Sequence, residues 1–386
     1  MISRILEPFL VKAAKKMPVV IITGPRQSGK TTLAKAAFPN YQYVNLENLQ
    51  TREYAHTDPQ GFIEQYAGGV IIDEIQYTPD LLSYIQVKID VQKKNGQFIL
   101  TGSQNFLLLE RISQSLSGRA TLYTLLPFSN QELMGTSFEP KTSDSYIYKG
   151  FYPRIYKEQL NPTKWYQDYV TTYIERDVRQ LRNIGDLKTF QIFLRLCAGR
   201  VGQLLNYNEL ATQLGLSVNT IKQWISVLEA SYIIYILEPY FKNFNKRLIK
   251  SPKLYFYDTG LASFLLNLHS KNDLFFHFAK GALFENLIIS ETIKHFYNKG
   301  INKNVYFWRE SNGIEIDLLF EQGNSIFAIE IKSGKTFKTE QLQNLNSFKK
   351  TCNTLPVKLF LVFDGDQEQQ RSETTVLNWK SLPERI

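Results

Sequence analysis

The 386-residue chain carries a formal net charge of +9 and a pI near 9.2, and it exceeds the length that one hydrophobic core usually organises, so two or three domains are expected. It has no run of about 18 apolar residues, and its first residues lack a signal peptide's apolar centre and cleavage site. That composition argues against a membrane-spanning helix and predicts a soluble, cytoplasmic protein. Only Cys197 and Cys352 are present, too few for a disulfide framework or a cysteine zinc site, and both are expected to be buried apolar residues. His56, His269, His277 and His295 show no ligand spacing, so a metal must be held by oxygens. The positive charge suits a polyanionic partner but describes a solvated basic surface equally well.

The β-branched run Val19-Val20-Ile21-Ile22 is followed by Gly24-Pro25-Arg26-Gln27-Ser28-Gly29-Lys30-Thr31 and then by helix-like text from Thr32. Strand, glycine loop and helix are the context that Gly-x-x-x-x-Gly-Lys-Thr needs. Backbone N–H groups of the loop wrap phosphates, Lys30 reaches the β- and γ-phosphates of ATP, and the Thr31 hydroxyl meets Mg²⁺. Residues 24–32 are therefore the expected nucleotide-binding set. A second apolar run, Val70-Ile71-Ile72, ends in Asp73-Glu74; Asp73 is expected to hold the magnesium and Glu74 to orient or deprotonate the attacking water. A third strand over residues 97–100 opens into Thr101-Gly102-Ser103-Gln104-Asn105, where Ser103 or Asn105 can sense the γ-phosphate. Ser117-Gly118-Arg119 places an arginine behind a glycine, a candidate finger acting in cis or from a neighbouring subunit, with a surface ion pair as the plain alternative.

These motifs, together with Ile72-Asp73-Glu74-Ile75-Gln76, Leu100-Thr101-Gly102-Ser103 and Leu126-Pro127-Phe128, resemble the prokaryotic AAA-type ATPases of the extended AAA+ superfamily. The resemblance implies an α/β nucleotide-binding fold with a parallel sheet, ring or dimer assembly into a homo-oligomer, and an arginine supplied in trans. Gly150-Phe151-Tyr152-Pro153-Arg154 also matches that family, after the ATPase core.

Residues 165–182 read as a helix, a lid or connector. Helical periodicity over residues 189–198 is followed by a helix-turn-helix text at residues 207–225, with Gly215 at the turn and Ser217 capping the second helix. Thr220, Lys222 and Gln223 would then face a DNA groove. Strand-like runs at residues 232–237 and 254–257 suggest a wing hairpin, with Lys242, Lys246, Arg247, Lys250 and Lys253 between them as phosphate contacts and Tyr240, Phe241 and Phe244 beside them. Winged helices also serve as protein interfaces.

In the last third, a helix over residues 281–297 carries Glu285, and residues 314–320 and 326–332 flank a turn at Gln322-Gly323-Asn324. Asp317 on one strand, with Glu330 and Lys332 two apart on the next, brings two carboxylates and an ammonium together, a set able to hold a divalent ion and position water for phosphodiester attack; Glu285 can complete the ligands. The order helix, three strands, helix, strand with Asp and Glu-x-Lys so placed resembles the PD-(D/E)XK nuclease superfamily, with Ile316 standing where the superfamily's Pro would be.

The expected architecture is α/β: a P-loop AAA+ ATPase domain at 1–135, a helical lid at 136–186, an α+β winged helix at 187–260 and a PD-(D/E)XK nuclease-like α/β domain at 261–386. The expected function is an ATP-dependent DNA-binding and DNA-processing ATPase, with DNA, branched or structured, as partner and ATP and Mg²⁺ as cofactors. Its rivals are a nucleotide-controlled switch with an inactive nuclease fold and an ATP-responsive transcription regulator.

Overall fold

The computed structural model describes residues 2–66, 68–103, 111–112, 114–174, 186–240, 250–302, 304–352 and 355–386. It divides into two compact units. The first comprises Met1–Phe128, Ala230–Tyr232 and Phe296–Ile301; the second comprises Ser129–Glu229, Ile233–His295 and Asn302–Ile386.

The first unit is built on a parallel sheet of β1 (Val19–Thr23), β2 (Gln42–Asn45), β3 (Val70–Asp73), β4 (Phe98–Thr101) and β5 (Ala120–Thr124), in the order β2-β3-β4-β1-β5. Strand alternation sends Val19, Ile21, Val70, Ile72, Phe98 and Leu100 into one core with Leu81, Leu82 and Ile85. Val20, Ile22, Ile71 and Ile99 enter the other with Leu6, Leu10 and Leu33. A strand covered on both faces needs an unbroken apolar run, which is why β1, β3 and β4 were visible in the sequence. Each such side chain contributes about 1.5–3 kcal/mol of burial. The two outer strands, β2 and β5, were not foreseen: their residues are half-buried or exposed, and they carry no such run.

The second unit contains one sheet of eight strands: β6 (Ile234–Pro239), β7 (Lys253–Phe256), β8 (Tyr306–Arg309), β9 (Glu315–Gln322), β10 (Ser325–Lys332), β11 (Val357–Phe363), β12 (Gln369–Arg371) and β13 (Thr374–Asn378). Their spatial order is β12-β13-β11-β10-β9-β8-β6-β7. Helices Leu187–Ala198, Tyr207–Leu214 and Val218–Ala230 precede the antiparallel β6/β7 pair, with Gly215 at φ 66° and the Ser217 hydroxyl accepting from the Thr220 N–H at 3.1 Å. The β6/β7 hairpin does not stand alone. β6 pairs in parallel with β8 at Glu238↔Tyr306 and Pro239↔Phe307, so the hairpin forms one end of the larger sheet.

β9 and β10 are an antiparallel hairpin whose register, Ser325 opposite Gln322, leaves Gly323 and Asn324 as the turn. Helix Gln343–Thr351 packs Leu345 and Phe348 against Trp308, Ile316, Leu359 and Leu361. Helix Lys280–Asn298 carries Glu285 within a residue of the expected span. The expected helix over 165–182 is shorter: Pro162–Tyr169 is α-helical and passes into a π-helical stretch, Val170–Ile174, beyond which residues 175–185 lie outside the described set. Cys197 and Cys352 are both buried and free, as expected. Among the described residues no helix is long and apolar enough to cross a membrane.

Candidate functional site

Gly24 follows β1 at φ 142°, and a Cβ there would collide with the carbonyl oxygen of Leu125, so only glycine lets the chain turn at this point. Gln27 and Gly29 also take positive φ, 65° and 93°, which curls the loop before helix Lys30–Ala37 begins. The Lys30 ammonium folds back over the loop, donating to the carbonyls of Gly24 at 3.0 Å and Pro25 at 2.9 Å. The Ser28 hydroxyl is buried and has no hydrogen-bond partner among the described residues.

Asp73 ends β3, and β4 lies between that strand and β1. The Thr31 hydroxyl donates to Asp73 Oδ2 at 2.9 Å, Tyr43 OH donates to the same oxygen at 2.8 Å, and the Thr101 hydroxyl at the end of β4 donates to Oδ1. The carboxylate is 3% exposed and held on both oxygens. A hydroxyl and a carboxylate in contact beside an orphaned serine in a loop rich in backbone N–H groups fit a magnesium–triphosphate: Thr31 and Asp73 would hold the ion, and Ser28 and Lys30 the phosphates. Burial and the bond to Asp73 push the Tyr43 phenol up, keeping it a donor.

Glu74 sits at φ 60° one residue beyond β3, and Gln76 bonds both its carboxylate and the Ser103 hydroxyl, the latter at 3.1 Å. The proposed water-positioning acid and sensor serine thus share one amide. Asn105 lies outside the described residues. Arg119 departs from the cis finger considered for it. Its carbonyl accepts from the Val19 N–H at 3.3 Å at the start of β1, whereas the P-loop follows the other end of that strand, about 16 Å away at ~3.3 Å per residue. Its guanidinium is instead paired with Asp90, Nε to Oδ1 at 2.6 Å and Nη2 to Oδ2 at 2.9 Å, on the surface.

One participant had no signal in the sequence. The buried Arg4 donates to the Ser28 carbonyl at 2.9 Å and the Leu126 carbonyl at 2.7 Å, with its guanidinium 5.0 Å from the Phe128 ring centre. It ties the N-terminal segment to the P-loop and to the exit from β5.

In the second unit, Glu285, Asp317, Glu330 and Lys332 do come together, but not as an open set of ligands. Lys332 Nζ lies 2.6 Å from Glu330 Oε1 and 3.9 Å from Asp317 Oδ2. Asp317 Oδ2 accepts the Ile331 N–H at 2.7 Å, beside a bulge where β8 advances two residues, Tyr306 to Trp308, while β9 spans three, Leu319 to Ile316. Bulges re-aim side chains, and this one frees Asp317 to bond across to β10. Glu330 is 3% exposed, and its Oε2 has no hydrogen-bond partner among the described residues. Burial, then the neighbouring Asp317, pushes Glu330 up to about 8 and Glu285 up to about 7. Burial raises Asp317 as well, against the pull of Lys332 and Lys253.

Glu285, expected as a metal ligand, has one carboxylate oxygen engaged by neighbouring donors. Its Oε1 accepts from Lys253 Nζ at 3.1 Å and from Tyr255 OH. Among the described residues no group of three or more His, Cys, Asp or Glu is spaced to hold a metal ion. Lys253, assigned to a DNA-facing wing, is instead buried: it is 3% exposed, and its ammonium is paired with Glu285 and Glu315. The remaining DNA candidates divide. Lys222, Gln223 and Lys250 are exposed and Thr220 is half-buried, while Lys242, Lys246 and Arg247 lie outside the described residues.

Residues 16–134, which hold the whole P-loop and strand-end acid geometry, match the family model described as an AAA domain. This segment is a P-loop ATPase domain of the AAA type. The ATPase domain is followed by matches to two domains of unknown function, DUF8612 over residues 141–272 and DUF4143 over residues 280–382. Uncharacterized proteins of Mycobacterium tuberculosis and Mycobacterium bovis are each 28% identical over 373 residues, 95% of this chain and 81% of theirs. Among solved structures, a Walker-type ATPase of Pyrococcus abyssi aligns at 15% identity and TM-score 0.46, over 67% of this chain and 94% of that one. The RuvB Holliday junction branch migration motor of Thermotoga maritima aligns at 19% identity and TM-score 0.31, over 59% and 86%.

Proposed function

We propose that the ATPase domain binds and hydrolyses Mg-ATP and that its cycle controls DNA held by the second unit. The observation that carries the nucleotide half is the 2.9 Å bond between Thr31 and Asp73, which joins the phosphate loop to the strand-end acid. Magnesium, when bound there, supplies neutralisation of charge on the β- and γ-phosphates. Lys30 would add its ammonium to the same oxygens, and Glu74, once released from Gln76, would accept a proton from the attacking water.

The DNA half is supported by the exposed Lys222 and Gln223 on helix Val218–Ala230, by the basic text around it and by the net charge of +9. In this reading residues 136–186 form a lid, 187–260 a winged helix and 261–386 a PD-(D/E)XK nuclease-like region, with the protein assembling as a homo-oligomer. We adopt holding without cutting for the nuclease-like region, because Glu285 is committed to Lys253 and Tyr255. Cleavage is the second reading, favoured by the unpartnered Glu330 Oε2 beside Lys332.

The test is ATP turnover with linear, single-stranded and branched DNA, run beside a cleavage gel in Mg²⁺ and Mn²⁺. DNA-stimulated turnover without cleavage is expected. Turnover indifferent to every DNA form would remove the DNA half, and cleavage abolished by Asp317→Ala would establish the second reading.

A further inference from the structure

Lys253 opens β7 and Tyr255 lies two residues on, so strand alternation turns both to one side, where each donates to Glu285 Oε1. Metal coordination at about 2.0–2.5 Å would have to displace those two donors from Oε1. The same ammonium pairs with Glu315, whose Oε2 is 3.1 Å from Arg309 Nη1.

Counted fully ionised, four carboxylates, Glu285, Glu315, Asp317 and Glu330, therefore face three cations, Lys253, Arg309 and Lys332, a net charge of −1 that falls to zero while Glu330 keeps its proton. A buried cluster so nearly balanced gains little from a divalent ion. Without Lys253 it would carry −2, and Glu285 and Glu315 would lose the charge that compensates their burial.

We infer that Lys253 has taken the place of a divalent cation in this cluster, closing Glu285 to metal and leaving a site that stays assembled without one. The inference rests on reading residues 261–386 as a nuclease-like frame. The cation is carried by residues within the DUF8612 match, 141–272, and the carboxylates by residues within the DUF4143 match, 280–382, so the closed site requires both segments in one chain. Burial opposes a charge on Lys253, but Glu285, Asp317 and Glu315 outweigh it and hold the ammonium protonated well above its ordinary value.

The experiment is a Mn²⁺ titration of nucleotide-free full-length protein, followed by electron paramagnetic resonance and by thermal melts, on wild type, Asp317→Asn, Glu285→Gln, Lys253→Met and the Lys253→Met/Asp317→Asn pair. The Asp317-dependent part of the binding identifies the cluster. Wild type, Asp317→Asn and Glu285→Gln should give the same isotherm, whereas Lys253→Met should gain one Mn²⁺ per chain and a Mn²⁺-dependent rise in melting temperature, both lost in the double variant. Wild-type binding that needs Asp317 and Glu285 would overturn the inference while leaving the nuclease-like frame standing. A folded Lys253→Met that gains no Asp317-dependent site would defeat the frame and the inference together. Should Lys253→Met fail to fold, the three-way comparison of wild type, Glu285→Gln and Asp317→Asn still decides.

Discussion

Thr31 donates its hydroxyl to Asp73 at 2.9 Å across 42 residues of sequence, so the phosphate loop and the strand-end acid are in direct contact. Asp73→Asn keeps the shape but removes the charge that would attract magnesium, and Lys30→Ala removes the phosphate ammonium. Each is expected to lower ATP turnover by about 100-fold or more, the scale of losing one transition-state charge contact. Phosphate release assays at saturating ATP check this, and turnover within threefold of wild type in either variant would contradict the assigned roles.

Arg4 is the hidden brace of the same loop. Arg4→Met leaves the buried carbonyls of Ser28 and Leu126 without their donor, at about 1–3 kcal/mol each for an unsatisfied group. Chemical denaturation should show a loss of that order, and nucleotide affinity should weaken because the Ser28 backbone is no longer fixed. Unchanged stability together with unchanged affinity would show the brace to be incidental.

Arg119 and Asp90 form an exposed pair far from the P-loop of their own chain. Arg119→Ala should leave the melting temperature unaltered. If a neighbouring subunit reads this arginine, the variant loses turnover, and mixing it with Lys30→Ala restores part of it, because each supplies what the other lacks. A silent variant would remove the finger role altogether.

The acidic cluster gives stability a definite pH dependence. Glu330, Glu285 and Asp317 are all raised, so between the ordinary carboxylate range and about pH 8 the folded chain keeps protons that the unfolded chain releases. The sign follows: stability falls as pH rises through that window and levels off above it. Melting temperature should be higher near about pH 5.5 than near about pH 8.5, and Glu330→Gln should flatten the difference. A rise in melting temperature across the same interval would contradict the buried, raised carboxyls.

Legibility followed burial and sequence distance. The central strands β1, β3 and β4 and the hairpin β9/β10 could be read because a two-face apolar run and a glycine turn are local signals. Tyr43 and Thr101 could not, because their role comes from meeting Asp73 across 30 and 28 residues, and no local pattern encodes that meeting. Lys253 was misread for a related reason. Beside Lys250 it looked like one more solvated cation, yet Lys253-Leu254-Tyr255-Phe256 is a wholly buried strand, and a lysine inside such a strand signals a waiting carboxylate. The bent backbone of the P-loop was legible, since the glycines themselves shape it.

The parallel pairing of β6 with β8 has a practical reach beyond the site. It stitches residues near 239 to residues near 307, so the boundary between the two matched domains of unknown function, between 272 and 280, runs through territory that a single sheet spans. A fragment beginning at residue 280 would keep six of the eight strands but bare the flank of β8 and shed the lysine that neutralises its own acids. Such pieces should aggregate when expressed alone, and segments exchanged between relatives should succeed only when both halves travel together.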